Sequence, residues 1–208
     1  MDYLRDPDEI YRKSFEIISQ ELVLEGVPDD LHGVATRLVH ACGMTDIISD
    51  LAFSDDFSTC AKEALASGTF IITDSEMVSA GIMKRYLPSK CELVCRLNDP
   101  QTPATANTLG TTRSAAAFEL LHNEIDGALV VIGNAPTALF HLLEMLDAGA
   151  AKPAAIVGLP VGFVGAAESK LELKSNARGV PFLTLTGRRG GSALAAAAVN
   201  ALLLEMRQ

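Results

Sequence analysis

Tryptophan is absent from this 208-residue chain, and aromatic residues make up only 5% of it. No apolar stretch approaches the roughly 20 residues that a membrane-crossing helix needs, which argues against a membrane protein. The opening segment MDYLRDPDEI is acidic and has no apolar core, so a secretory leader is not expected and a cytoplasmic location is. Basic residues are also scarce. Lys and Arg total 17 against 26 Asp and Glu, a formal net charge of −9. A field of that sign repels phosphate backbones, and no block of Lys and Arg interrupts it, so nucleic acid is excluded as a partner. An anionic small molecule remains acceptable wherever a few basic side chains converge.

Phosphate-binding signatures are missing too. GLPVGFVGAAES places glycine at 158, 162 and 165, which is not the G-x-G-x-x-G order, and no G-x-x-x-x-G-K-[ST] occurs. Backbone N–H groups near Gly190-Gly191-Ser192 offer a weak anion site at a helix start. The four cysteines, Cys42, Cys60, Cys91 and Cys95, form no C-x-x-C pair. In CELVC, an extended strand would point Cys91 and Cys95 into one core face. They read as buried free thiols, with a disulfide or a metal as the alternative. No metal centre is expected.

With 49% hydrophobic and 21% charged residues, the chain has the composition of one globular domain spanning 1–208. Its first third is helical in pattern. Asp6 suits a helix cap, Pro7 the first turn, and Glu9 stands at the capping-box spacing. In DDLHGVATRLVHACG, Leu31, Val34, Ala35, Leu38, Val39 and Cys42 recur at helical spacing and Gly43 ends the run. A third helix is expected over about Asp55 to Ser67. From Thr69 onward, five short apolar runs (TFIIT, ELVCRL, ALVVIG, AAIVGLP and FLTLTG) alternate with helical stretches. That alternation predicts an α/β fold with a five-stranded parallel sheet covered on both faces, preceded by extra N-terminal helices.

Ligands of open parallel sheets bind beyond the carboxyl ends of the strands, so the segments after each run are where chemistry belongs. The second helix adds a polar side. At 100° per residue, Gly33, Arg37 and His40 fall together opposite the apolar stripe. A glycine inside a helix costs about 1 kcal/mol relative to alanine, so Gly33 implies a close approach there. His40 lies in the last turn, where the helix dipole favours its protonated form, and Arg37 could hold a carboxylate. The plainer alternative is a solvated helix face. Ser14 interrupts the apolar side of the first helix and either bonds back to the preceding turn or meets a ligand.

Several blocks resemble the precorrin-8X methylmutase family: IYRKSFEII, RLVHACG around His40, TRSAAA from Thr112, GNAPTALF from Gly133, KPAAI from Lys152, PVGFVGAAESK from Pro160, GVPF from Gly179 and GRRGGSALAAAAVNAL from Gly187. The resemblance covers essentially the whole chain. It implies a flavodoxin-like three-layer α/β/α fold. It also implies an isomerase of cobalamin biosynthesis that moves a methyl group from carbon eleven to carbon twelve of a tetrapyrrole. Precorrin-8X would give hydrogenobyrinate, and cobalt-precorrin-8 would give cobyrinate. No cofactor is implied, cobalt entering only if the substrate carries it.

On matching positions, the resemblance makes His40 the proton donor and acceptor. It places Ser14 and Arg37 against substrate, gives Arg113 a substrate carboxylate, and has Asn134 and Thr137 shape the pocket. It further implies a homo-oligomer, a dimer being expected, with the site near a subunit interface and product passed to the next pathway enzyme. Two rivals remain: a nucleotide-dependent enzyme using Arg188 and Arg189 for phosphate, and a corrinoid carrier without catalysis.

Overall fold

The computed structural model describes Met1 and residues 3–207. Its N-terminal part follows the sequence signals closely. Helix α1 (Pro7–Glu21) starts where Asp6 accepts hydrogen bonds from the backbone N–H groups of Asp8 and Glu9. Helix α2 (His32–Cys42) ends at Gly43, and α3 (Phe57–Ser67) ends at Gly68.

The remaining elements are β1 (Leu51–Phe53), β2 (Phe70–Thr73), α4 (Glu76–Gly81), β3 (Glu92–Val94), α5 (Thr102–Leu109), α6 (Arg113–Glu119), β4 (Leu129–Ile132), α7 (Pro136–Asp147), β5 (Ala155–Gly158), α8 (Ala166–Ser175), β6 (Phe182–Leu185) and α9 (Ser192–Glu205). The sheet has six strands rather than five, in the order β1-β6-β5-β4-β2-β3. The five expected strands are parallel to one another. The addition is β1, which runs antiparallel beside β6 with Leu51 opposite Leu185. Three residues are too few for a strand period to show in sequence, and pairing with the β6 edge is what makes LAF extended.

Alternate residues of each central strand feed two separate cores, as the pleat requires. Ile71, Leu129, Val131, Val157 and Leu183 pack with α2, α3 and α9. Ile72, Val130, Ile132, Ile156 and Phe182 point the other way, toward α6, α7 and α8. Three layers result. The expectation of strands covered on both faces fails at β3. It is the edge strand: Glu92 is exposed, Cys91 packs half-buried against the first core, and Cys95 is half-buried. All four cysteines are free thiols.

Helix α9 is apolar all round, with ten of its residues buried. A helix of that kind needs partners on every side, and this one lies between the sheet and helices α2 and α4. Its alanines therefore serve packing inside the subunit: a side chain at Gly81 would meet the Ala196 methyl at 2.7 Å. The close approach implied by Gly33 is likewise internal. The Glu205 side chain, paired with Lys62 at 2.6 Å, covers it.

Candidate active site

The sheet order reverses direction between β2 and β4, and the carboxyl ends of those strands are where this topology places ligands. Two groups of polar side chains are candidates, the second of them at that end. The first lies between α1 and α2. Tyr11, Ser14 and Phe15 share one face of α1 and meet Arg37 and His40 of α2. Ser14 Oγ lies 3.1 Å from His40 Nδ1. The Phe15 ring stacks on the imidazole at 4.8 Å between centroids and 26° between planes. The Tyr11 ring approaches edge-on at 6.2 Å. These contacts hold the ring by one nitrogen and one face, and the hydroxyl can either donate to or accept from Nδ1. His40 is nonetheless exposed, which suits a side chain that must reach a ligand.

Arg37 Nη2 donates to the Tyr11 hydroxyl, and its guanidinium sits 5.2 Å over the Phe15 ring. These are neutral partners, so the cation retains capacity for a carboxylate. A cavity of about 380 Å³ opens beside this group, lined by Tyr11, Arg37, His40, Met83, Ala193 and Asn200. Asn200 shapes its wall: its side chain accepts from Met83 N–H at 2.8 Å and donates to the Gly81 carbonyl at 2.9 Å.

The second group follows β3 and β4. Arg113 Nη2 donates to the Leu97 carbonyl at 2.9 Å and to Asn98 Oδ1 at 2.7 Å, again neutral acceptors. Thr112 caps α6 through the Ala115 N–H and lies 2.8 Å from the Thr137 hydroxyl. Asn134 is exposed at the turn before α7. Among the described residues no hydrogen bond joins the two groups, and α9 spans between them. Its Ala193 faces the histidine cavity, while Gly133 sits 2.9 Å, measured from the position of an added Cβ, from Ser192 Cα.

Of the six residues expected at the site, Ser14, Arg37 and His40 are therefore in one cluster. Arg113 and Thr137 are in the other, and Asn134 is beside the latter. The phosphate role considered for Arg189 fails, because its guanidinium is bound to Asp50 and to Asp46, the latter at 2.6 Å. Arg188 stacks instead over the exposed Phe163 ring at 5.3 Å. Among the described residues, no three His, Cys, Asp or Glu side chains converge as a metal site would require.

The family profile described as precorrin-8X methylmutase matches residues 9–205. The chain belongs to this family. It is 54% identical to a precorrin-8X methylmutase from Pseudomonas aeruginosa over 99% of both chains. It is 40% identical to a cobalt-precorrin-8 methylmutase from Salmonella typhimurium over the full length of both. Among solved structures, a precorrin-8x methyl mutase from Thermus thermophilus superposes with a TM-score of 0.86 at 33% identity, over 96% of each chain. The family assignment made from RLVHACG, GNAPTALF and PVGFVGAAESK thus holds along the whole sequence.

Three further residues of the candidate site, Tyr11, Phe15 and Asn200, carry fainter signals in the sequence. Tyr11 and Phe15 stand three residues before and one after Ser14, a spacing that puts all three on one helix face. In a chain with 5% aromatics, two rings on one turn beside a polar residue were a usable signal. Asn200 gave a weaker one, as the single polar residue inside an apolar helix. Among the described residues no helix is long and apolar enough to cross a membrane.

Proposed function

We propose that this chain catalyses the carbon-eleven to carbon-twelve methyl shift of precorrin-8X, yielding hydrogenobyrinate, with His40 giving and retaking the proton. The observation that carries this is His40 itself: an exposed imidazole oriented by Ser14 and Phe15, beside Arg37, which meets no carboxylate among the described residues, in a member of this family. A methyl shift around a conjugated ring is an internal rearrangement. It needs no nucleophile, hydride carrier or methyl donor. Protonating the ring system near the migrating carbon lowers the barrier, and a positioned acid–base group is typically worth roughly 10²–10⁴-fold. Holding the macrocycle in one conformation supplies more.

A tetrapyrrole with its acid chains exceeds a cavity of about 380 Å³, so the pocket takes one edge of it. The rest extends over the strand ends toward Arg113, Asn134 and Thr137. Arg37 and Arg113 then receive peripheral carboxylates, exchanging neutral acceptors for charge-assisted ones. The higher identity with the relative named for the cobalt-free substrate favours precorrin-8X over its cobalt form.

Anaerobic incubation with precorrin-8X, followed by absorption spectra, separates this reading from a carrier, which would bind product but never form it. Hydrogenobyrinate should bind with a Kd at or below about 1 μM and colour the protein. Arg113→Ala should raise that Kd by about tenfold without lowering the melting temperature, and added salt should weaken binding. Titration without spectral change at tens of micromolar would count against the assignment.

The assembly we infer is a homodimer in the cytoplasm, releasing product to the next enzyme of the pathway. Phe163 and Val164, 83% and 89% exposed in a single chain, supply apolar surface suited to a partner subunit. Light scattering should give a particle of about twice 22.0 kDa. A particle of one chain mass at micromolar concentration would refute it.

A further inference from the structure

Asp74 is the only carboxylate among the described residues with a fully buried side chain, and its recorded hydrogen-bond partners are backbone N–H groups. It stands immediately after β2, at the point where the strand order reverses. Its two oxygens accept three consecutive backbone N–H groups from the turn after β4: Gly133 at 2.9 Å, Asn134 at 2.9 Å and Ala135 at 2.6 Å. Burial pushes its pKa up, and the same three N–H groups pull it back down.

Three N–H groups aimed at one spot, just before a helix, form the kind of concavity that binds an external anion. In sheets wound in this order, that spot lies at the ligand crevice. Here the protein's own carboxylate occupies it. The turn so held is the one that carries Asn134 and leads to Thr137, whose hydroxyl meets Thr112 next to Arg113. Gly133 within the turn also abuts α9, at 2.7 Å from the Ala195 methyl to an added Cβ.

We infer that Asp74 is a positioning residue: its carboxylate fills the anion nest at the switch point from inside, and thereby sets Asn134 and Thr137 against the substrate. The inference rests on the reading of those two residues as substrate contacts. It also accounts for the absence of a phosphate signature in the sequence, since the place where a phosphate would sit is taken. Asp74 touches no substrate itself and acts through the turn.

The test is a cycle of variants in hydrogenobyrinate binding and precorrin-8X turnover. Asp74→Asn keeps the side chain's shape but replaces one acceptor oxygen by a donor that faces the N–H groups. It should raise the product Kd and the KM by about tenfold while kcat stays within about threefold. The double variant Asn134→Ala/Thr137→Ala should show a similar loss. Adding Asp74→Asn to that double variant should cost less than about twofold more, because the groups it positions are gone.

A full further tenfold loss in the triple variant would overturn the inference, since Asp74 would then act by another route. So would unchanged affinity in the Asn134→Ala/Thr137→Ala protein, a result that does not depend on whether Asp74→Asn folds. In ligand-free protein, amide exchange at Gly133, Asn134 and Ala135 should be slow and should quicken in Asp74→Asn. Wild-type protein that fails to bind hydrogenobyrinate, yet shows that change in exchange, would reject the proposed substrate and leave the nest demonstrated. Exchange unaltered by Asp74→Asn would reject the nest.

Discussion

His40→Ala should turn over precorrin-8X roughly 10²-fold more slowly than wild type, or slower still, while binding hydrogenobyrinate within about tenfold of it. The two readouts part because the role proposed for the ring is chemical and its part in cohesion is small. His40 is exposed, and its contacts are the Ser14 hydroxyl, the stacked Phe15 ring and the edge-on Tyr11 ring. Its removal opens no cavity in either core, so the melting temperature should move by no more than a change of about 1 kcal/mol would cause. Among the described residues lining that cavity, His40 carries the only imidazole, the side-chain type best suited to giving and retaking a proton. Near wild-type turnover in His40→Ala would show that pocket geometry alone drives the shift. Loss of folding would show instead that the histidine is structural.

The second large effect is on stability and comes from Lys170. Its side chain has no exposed surface, and Nζ donates to the Arg189 carbonyl at 2.5 Å. That bond ties α8 to the loop between β6 and α9. The loop is further fixed by Gly191 N–H donating to the Leu159 carbonyl, and by Gly190, where an added Cβ would lie 2.5 Å from the Pro160 carbonyl oxygen. Burial lowers the Lys170 pKa from 10.5 to about 8, with Asp50 pulling it back up.

A depressed folded-state pKa on a base means that, between pH 8 and 10.5, the unfolded chain holds a proton the folded one has shed. Stability from this group therefore rises with pH across that window, and below it the protein bears the cost of a buried charge. Compared with Lys170→Met, wild type should gain at most about 3 kcal/mol between neutral pH and the top of the window. Denaturant midpoints of both proteins across that range measure it, and other titrating groups cancel in the difference. A pH-independent difference would show that water reaches the amine in solution.

How much of this was legible beforehand varied with the range of the interaction. Boundaries of α1, α2 and α3 were readable because caps and helical stripes are local. The five parallel strands were readable because each is an apolar run followed by a helix. Strand β1 was not, since its extended form depends on β6, more than a hundred residues later. Arg37 and His40 stood out by helical phase on one element, but Ser14 is 26 residues from His40, and only packing of α1 on α2 brings them to 3.1 Å.

The sequence alone determined the family, the α/β architecture with its five parallel strands and the net charge of −9, and it singled out His40 as the candidate for proton transfer. Each of these follows from composition, from periodicity over a few turns, or from contiguous blocks that match a known pattern. Tertiary structure decided which basic residues stay free for a ligand and which are consumed: Arg37 and Arg113 meet neutral acceptors, whereas Arg189 is bound by Asp46 and Asp50. It also decided that the alanines of α9 pack against α2 and α4 within the subunit, and that Asp74 fills the anion nest 59 to 61 residues downstream. The cause is the same in each case. Whether a charge or a small side chain is free or engaged depends on what lies across the contact, and the partner is set by how helices and strands stack, which no local pattern encodes.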